Sequence, residues 1–180
     1  MRIISGCRRG HKLHEFLGED IRPTTDRVKE SLFNLIFEFI GPEAHVLDLF
    51  GGSGALGFEA ASRGCKKTFI VDKAQASIDV IKQNLSELRL EDRVEVVHSD
   101  AFEFLQRTQE RFDIIFLDPP YNKGFVLPIV KSIFSNEVLS QGGIIVIETD
   151  STDLPEGLPE VELIKQRKYG RTYVSIFCRR

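Results

Sequence analysis

Three cysteines in 180 residues are too few and too scattered to hold a fold together. Cys7, Cys65 and Cys178 are odd in number and widely spaced, so they build no disulfide framework and match no zinc spacing. No metal is expected, and the thiols point to a reducing interior such as the cytoplasm. No apolar run approaches the roughly 20 residues needed to cross a bilayer, so no membrane association is expected. "MRIISGCRRGHKL" has too few apolar residues before polar ones resume to act as a secretory leader. Repeats, low-complexity tracts and dividing linkers are absent as well, and residues 1–180 are expected to form a single domain.

A chain of this length can bury about 70% of its unfolded surface. Its 42% hydrophobic and 28% charged residues are ordinary for a globular protein. The net charge of −3 does not suggest a nucleic-acid binder, but the charge is unevenly spread. Residues 1–29 carry seven basic and four acidic side chains, and residues 165–180 carry six basic and none acidic. The intervening chain therefore holds a net −12. An acidic body with two basic ends can grip a polyanion where the fold brings those ends together.

"RIIS" and "HKLHEF", separated by "GCRRG", predict a small N-terminal β-hairpin with a basic tip, an extension covering residues 1–20. "TTDRVKESLFNLIFEFI" predicts a helix with Val28, Leu32, Leu35 and Phe39 on one face, capped by Thr24 or Thr25 and stopped by Gly41-Pro42. Five short β-branched runs follow, over residues 45–50, 67–72, 93–99, 112–118 and 143–149, with helical segments between them. In one of these, "QASIDVIKQNLSEL", Ile78, Ile81, Leu85 and Leu88 recur at helical spacing. Strands apolar on both faces and separated by helices predict an open α/β fold, a mostly parallel sheet with helices on both faces. "VELIKQ" and "TYVSIFC" predict a C-terminal hairpin that adds an antiparallel strand.

"LDLFGGSGALGFEAASRG" runs from a strand through glycines into a helix, and Gly52 to Gly57 fits G-x-G-x-x-G. That pattern alone also permits a dinucleotide oxidoreductase. Asp48 discriminates, because a carboxylate three residues before the glycines would repel a pyrophosphate and suits a cation. S-adenosylmethionine (SAM) carries an ammonium and a sulfonium and no phosphate. Asp72 ends the second strand, where a carboxylate can accept from ribose hydroxyls. Asp100, followed by Ala101 and Phe102, ends the third, within reach of an adenine. Three acids at the carboxyl ends of three successive strands flank one glycine loop, the edge where open α/β sheets bind ligands.

The fourth strand closes with "FLDPPY". Two successive prolines hold a rigid extended backbone with free carbonyls. Asp118 offers one acceptor and the Pro119 carbonyl a second, matching the two hydrogens of an exocyclic amine. Pro120 stiffens the notch, and Tyr121 offers a face on which an extruded base can stack. An aromatic amine is a poor nucleophile, and acceptors on both N–H bonds orient it and disperse the positive charge that develops during attack. No Cys or His nucleophile is needed, and direct in-line methyl transfer from SAM is the expected mechanism.

The glycine loop and strand-end acids resemble the class I SAM-dependent methyltransferases over residues 44 to about 149. That resemblance implies a Rossmann-like, seven-stranded sheet whose last strand pairs antiparallel. D-P-P-Y resembles the motif of amino-group methyltransferases. "RIISGCRRGHKL", "RPTTDRVKESLFNLI", the glycine loop and "LDPPY" together resemble the bacterial RsmD-type 16S rRNA guanine-N2 methyltransferases across nearly the whole chain. The resemblance implies that Arg22, Pro23 and Thr24 close over SAM. Asp48, Gly51, Gly52, Ser53 and Gly54 then form the cofactor loop, Asp72 meets the ribose, and Asp100 with Ala101 contacts adenine. Asp118, Pro119, Pro120 and Tyr121 hold the guanine. Gly51 stands where many relatives carry Ala. The implied partner is 16S rRNA, free or within the small ribosomal subunit, and the implied enzyme is a cytoplasmic monomer. Phosphates flanking a flipped-out guanine would meet Arg8, Arg9 and Lys12 of the N-terminal hairpin and Arg167, Lys168 and Arg171 of the C-terminal one, gathered at one edge. Three other readings stay open: a DNA or RNA adenine-N6 methyltransferase, a glutamine-amide methyltransferase, and an RNA-binding module without catalysis.

Overall fold

The computed structural model describes residues 1–15, 26–119, 124–149 and 158–180. The first helix, α1, spans Asp26–Leu35 and passes into a short 3-10 turn at Phe37–Phe39. From there strands and helices alternate: β1 (His45–Asp48), α2 (Ala55–Ser62), β2 (Lys67–Asp72), α3 (Gln75–Leu88), β3 (Val94–His98), α4 (Ala101–Arg107), β4 (Phe112–Leu117), α5 (Val126–Ser135) and β5 (Leu139–Thr149). Two strands, β6 (Val161–Tyr169) and β7 (Thr172–Arg179), complete a seven-stranded sheet of order β3-β2-β1-β4-β5-β7-β6. β1 to β5 pair in parallel, β7 is antiparallel to β5, and β6 is antiparallel to β7. The strand order reverses between β1 and β4, which opens a crevice beyond their carboxyl ends. This is the Rossmann-like sheet expected from the sequence.

Both faces of the sheet are covered, so the central strands are apolar throughout. Leu47, Ile115, Leu117, Ile145 and Ile147 lie on one side with residues of α4 and α5. Val46, Ile114, Phe116, Ile144 and Val146 lie on the other, against α1 and α2. β2 and α3 keep the predicted bounds. β5 begins earlier than expected, at Leu139, and its pairing with β4 is irregular between Phe112 and Ile114. No helix among the described residues is long and apolar enough to cross a membrane.

The predicted face of the first helix needs correction. Leu32 is buried as expected, but Val28, Leu35 and Phe39 are only partly covered, and the buried stripe is Lys29, Leu32, Phe33 and Ile36. The stripe turns because Lys29 has a partner inside. Its Nζ lies 3.4 Å from Glu59 Oε2 and donates to the Arg2 carbonyl at 2.7 Å, with both side chains fully buried. Burial lowers the Lys29 pKa, and the nearby Glu59 carboxylate opposes that shift. Glu59 also accepts from Ile4 N, Ser5 N and Arg63 Nε at 2.8–3.0 Å. One carboxylate on α2 thus fastens α1 and the N-terminal segment together.

The N-terminal segment forms one antiparallel bridge, Arg2 with Lys12, within the expected hairpin. Its tip does not lie at the ligand-binding edge, as expected, but at the opposite one. Cys7 N and Arg8 N donate to the carbonyl and hydroxyl of Ser62, the last residue of α2. The Arg8 guanidinium donates to the Leu88 and Arg89 carbonyls at the end of α3. α2 and α3 both start at the carboxyl ends of strands and run back, so their last residues mark the amino edge. Gly6 seats the turn: with φ +84°, a Cβ there would stand 1.8 Å from the Ser62 carbonyl oxygen.

Removing one partner of a buried ion pair leaves the other uncompensated, at a cost of about 3–5 kcal/mol. Glu59→Ala is expected to lower the unfolding free energy by that order in urea denaturation. A change within about 1 kcal/mol, the range of an exposed pair, would contradict the role given to this residue.

Candidate functional site

The carboxyl edge of β1 carries the most buried acid of the site. Asp48 is 2% exposed, and its Oδ2 accepts from Gly57 N at 2.9 Å, in the first turn of α2. Glycine makes that approach possible: a Cβ on Gly57 would meet Ile70 Cγ1 at 2.6 Å and Asp48 Oδ2 at 3.2 Å. The bend between β1 and α2 is closed by Gly51 N donating to the Val71 carbonyl at 2.9 Å and Gly54 N to the Gly51 carbonyl at 2.6 Å. Gly52 and Gly54 hold positive φ, +56° and +79°, which L side chains rarely adopt. Gly51 is packed tightly as well. Alanine there would place its Cβ 2.5 Å from Ile70 Cγ2, so it would need a shifted or smaller neighbour.

Asp72, at the end of β2, accepts from Gly52 N and Ala74 N, each at 2.9 Å, one with each oxygen. Each oxygen keeps a second lone pair for a ligand hydroxyl. Asp100 caps α4 through Phe102 N at 2.9 Å, so its Oδ1 is engaged and the rest of its exposed carboxyl faces solvent. Ala101 is buried at the start of that helix. Ser53 contributes a backbone group: its carbonyl accepts from Asn84 Nδ2 at 2.9 Å. Asn84 also exchanges two hydrogen bonds with the His14 backbone, and so fixes the bend relative to the chain just before residue 16. Sequence reasoning passed over Asn84. Its only signal is a polar residue on the buried side of α3, one turn from Leu88.

Asp118 follows β4 directly, two residues beyond Phe116, and Phe116 pairs with Asp48. Alternation therefore puts Asp118 on the same sheet face as Asp48. Enclosure of its carboxyl raises the Asp118 pKa well above the usual range, and the neighbouring Glu148 and Asp48 carboxylates raise it further. Glu148, near the end of β5, was also missed in the sequence, although it follows the same rule of an acid closing an apolar strand. Burial likewise pushes the Asp48 carboxyl up to about 7, with Asp72 adding to the shift and the Gly57 N–H opposing it. Pro119 is buried beside this cluster. Such an edge suits a cationic ligand and repels a phosphate.

The structure brings Asp48, Gly51 to Gly54, Asp72, Asp100, Ala101, Asp118 and Pro119 to the carboxyl ends of four adjacent strands. Arg22, Pro23, Thr24, Pro120 and Tyr121 lie outside the described residues, as do both proposed caps of α1. Arg167, Lys168 and Arg171 flank the β6–β7 turn, and β6 runs parallel to the main strands, so that turn emerges at the same edge. Lys168 Nζ stands 5.1 Å over the Tyr173 ring. Arg8 and Arg9 are not gathered there, and Lys12 is bridged to Arg2 between their turn and His14. Among the described residues, no group of three or more His, Cys, Asp or Glu could hold a metal ion.

Comparison with known proteins identifies the family and its fold. The family described as conserved hypothetical protein 95 matches residues 1–178. A putative rRNA methyltransferase of Bacillus subtilis, YlbH, is 39% identical over 184 residues, covering 100% of both chains. Ribosomal RNA small subunit methyltransferase D of Haemophilus influenzae is 37% identical over 174 residues, covering 94% of this chain and 89% of its own. The chain belongs to the RsmD family. A solved structure of the putative methyltransferase yhhF of Escherichia coli superposes with a TM-score of 0.88 at 33% identity, covering 99% of this chain and 97% of that one. The family's fold is thus the one described above.

The raised acid at Asp48 has a measurable cost. An unfolded Asp ionises near pH 3.8, whereas the folded one holds its proton up to about 7, so folding loses stability as pH rises through that window. Asp48→Asn keeps an acceptor for Gly57 N and cannot ionise. Its gain in unfolding free energy is expected to be nil near pH 4 and to reach a plateau above pH 7, on the order of 4 kcal/mol at most. Urea denaturation of both proteins across that range checks this, and a gain independent of pH would contradict it.

Proposed function

We propose that this protein transfers a methyl group from SAM to the exocyclic N2 amine of a guanine in 16S rRNA. The observation that carries the reading is the position of Asp118-Pro119: at the end of β4, on the Asp48 face, beside the glycine bend. The residues fit SAM. A buried carboxylate held up to about 7 gains a counter-ion when a cation sits beside it, and Asp72 retains acceptor capacity for ribose hydroxyls. Asp48, Gly51 to Gly54, Asp72, Asp100 and Ala101 would hold it, with Arg22, Pro23 and Thr24 closing over it. When bound, SAM supplies an electrophilic methyl group.

The chain's own residues position and discharge the amine. Asp118 and the Pro119 carbonyl accept its two N–H bonds and aim the nitrogen lone pair along the transfer line. As nitrogen becomes positive, acceptors already in place stabilise it without reorganisation. The acceptor oxygen of Asp118 stands where an Asn carbonyl would, so Asn can serve in its place. The proton on the methylated nitrogen, acidic only once the new N–C bond has formed, leaves to solvent. Pro120 and Tyr121 complete the notch and stack the base. The domain, residues 1–180 with the N-terminal hairpin as an extension, acts as a cytoplasmic monomer on free or assembled small subunits. Arg167, Lys168 and Arg171 bind phosphates next to the target. Arg8 and Arg9, at the far edge, serve with Lys12 of the same hairpin as a separate contact with more distant RNA.

Two measurements check this. In a tritiated-methyl assay on small-subunit RNA, Asp118→Ala is expected to lower kcat by about 10²–10³-fold, whereas Asp118→Asn retains most of the rate. Nucleoside analysis should return N2-methylguanosine, and N6-methyladenosine would overturn the substrate assignment. Replacing Arg167, Lys168 and Arg171 by Ala should reduce the salt slope of RNA binding by about 2–3, with SAM affinity unchanged. An unaltered slope would remove the β6–β7 turn from the RNA interface.

A further inference from the structure

The penultimate residue of β5 is a carboxylate with no part in holding SAM or the amine. Glu148 is 4% exposed. Phe116 pairs with Val146 and Leu117 with Ile147, so the next rung of the ladder sets Asp118 beside Glu148. Ile114, Phe116, Ile144 and Val146 share one face, and alternation places both acids on it. Adjacent strands lie about 4.8 Å apart. Two carboxyl groups are thus held side by side at the mouth of the crevice, one of them at the proposed amine-binding position. A fold gains nothing from burying like charges together.

Base chemistry supplies a reason. Guanine is the one amine-bearing base whose amine neighbours a ring N–H, so its N1–H and N2 amine form a row of donors. Adenine sets the N1 lone pair beside its amine, and cytosine sets the N3 lone pair beside its own. A second acceptor next to Asp118 therefore complements guanine and repels the other two.

We infer that Glu148 accepts the N1–H of the target guanine and is the residue that selects guanine over other amine-bearing bases; the inference rests on the guanine-N2 reading above. A carboxylate has about four lone-pair sites, so this role is compatible with the other contacts Glu148 makes.

The test uses the full-length enzyme and small-subunit RNA. The modified guanosine is first mapped with wild type, then replaced by 2-aminopurine, which keeps the 2-amine and lacks N1–H. Wild type is expected to favour guanine over 2-aminopurine in kcat/KM by at least about tenfold, because a site built to bond an N–H rejects the analogue lacking it. Glu148→Gln, whose amide can donate to a bare N1, is expected to narrow that ratio at least about threefold with SAM affinity unchanged. A wild-type ratio below about tenfold overturns the inference whether or not the variant folds. A Glu148→Gln ratio equal to that of wild type overturns it as well. A wild-type product other than N2-methylguanosine sinks the guanine-N2 reading instead, and so distinguishes the two failures.

Discussion

The contact between the Asp48 carboxylate and the Gly57 amide governs the geometry of the binding edge. It joins the end of β1 to the first turn of α2, and the six-residue glycine bend must fit between them. Glycine at 57 brings helix and strand close enough, and Ile70 fills the space that side chains at 51, 54 and 57 would otherwise take. The result is a buried acid beside further acids at the ends of β2, β4 and β5. That arrangement weakens the fold at neutral pH, and its compensation is a site that favours positive charge. A bend with these glycines and no acid before them would suit a pyrophosphate equally well.

Charge is segregated along the molecule in the same sense. The acidic centre of the sequence supplies the strand-end carboxylates, and the basic C-terminal hairpin lies at the same edge, beyond β5 and β7. A polyanion is therefore attracted at the rim and repelled from the crevice. This division favours a narrow contact around one nucleotide over general affinity for RNA.

Strand-end acids were legible because each closes a short apolar, β-branched run, and the glycines after Asp48 and the prolines after Asp118 mark the edge to which Asp72 and Asp100 also belong. Glu148 also closes an apolar run, but it lies one strand beyond the D-P-P-Y end of β4, outside the group of acids around the glycine loop. The parallel sheet and the C-terminal hairpin followed from alternation and from hairpin pattern, both local signals, whereas the strand order is a long-range feature. Long-range docking was not legible. Lys29 reads as a solvated flank of α1 until Glu59 is placed opposite it, 30 residues on. The basic tip at Arg8 could be assigned to either end of the sheet, since its seat consists of Ser62 and the carbonyls of Leu88 and Arg89, groups that leave no pattern in sequence. Gly51 shows a subtler limit, in that the reason for glycine there is the Ile70 side chain packed against it.

The central claim is that a buried carboxylate recognises a cationic methyl donor. Calorimetric titration of the protein with SAM between pH 5.5 and 8.5 tests it most directly. If binding requires ionised Asp48, the Kd should fall about tenfold per pH unit up to about 7 and level off above it, with a proton released on binding below that point. An affinity that stays flat across the range, or a preference for NADH over SAM, would contradict the account.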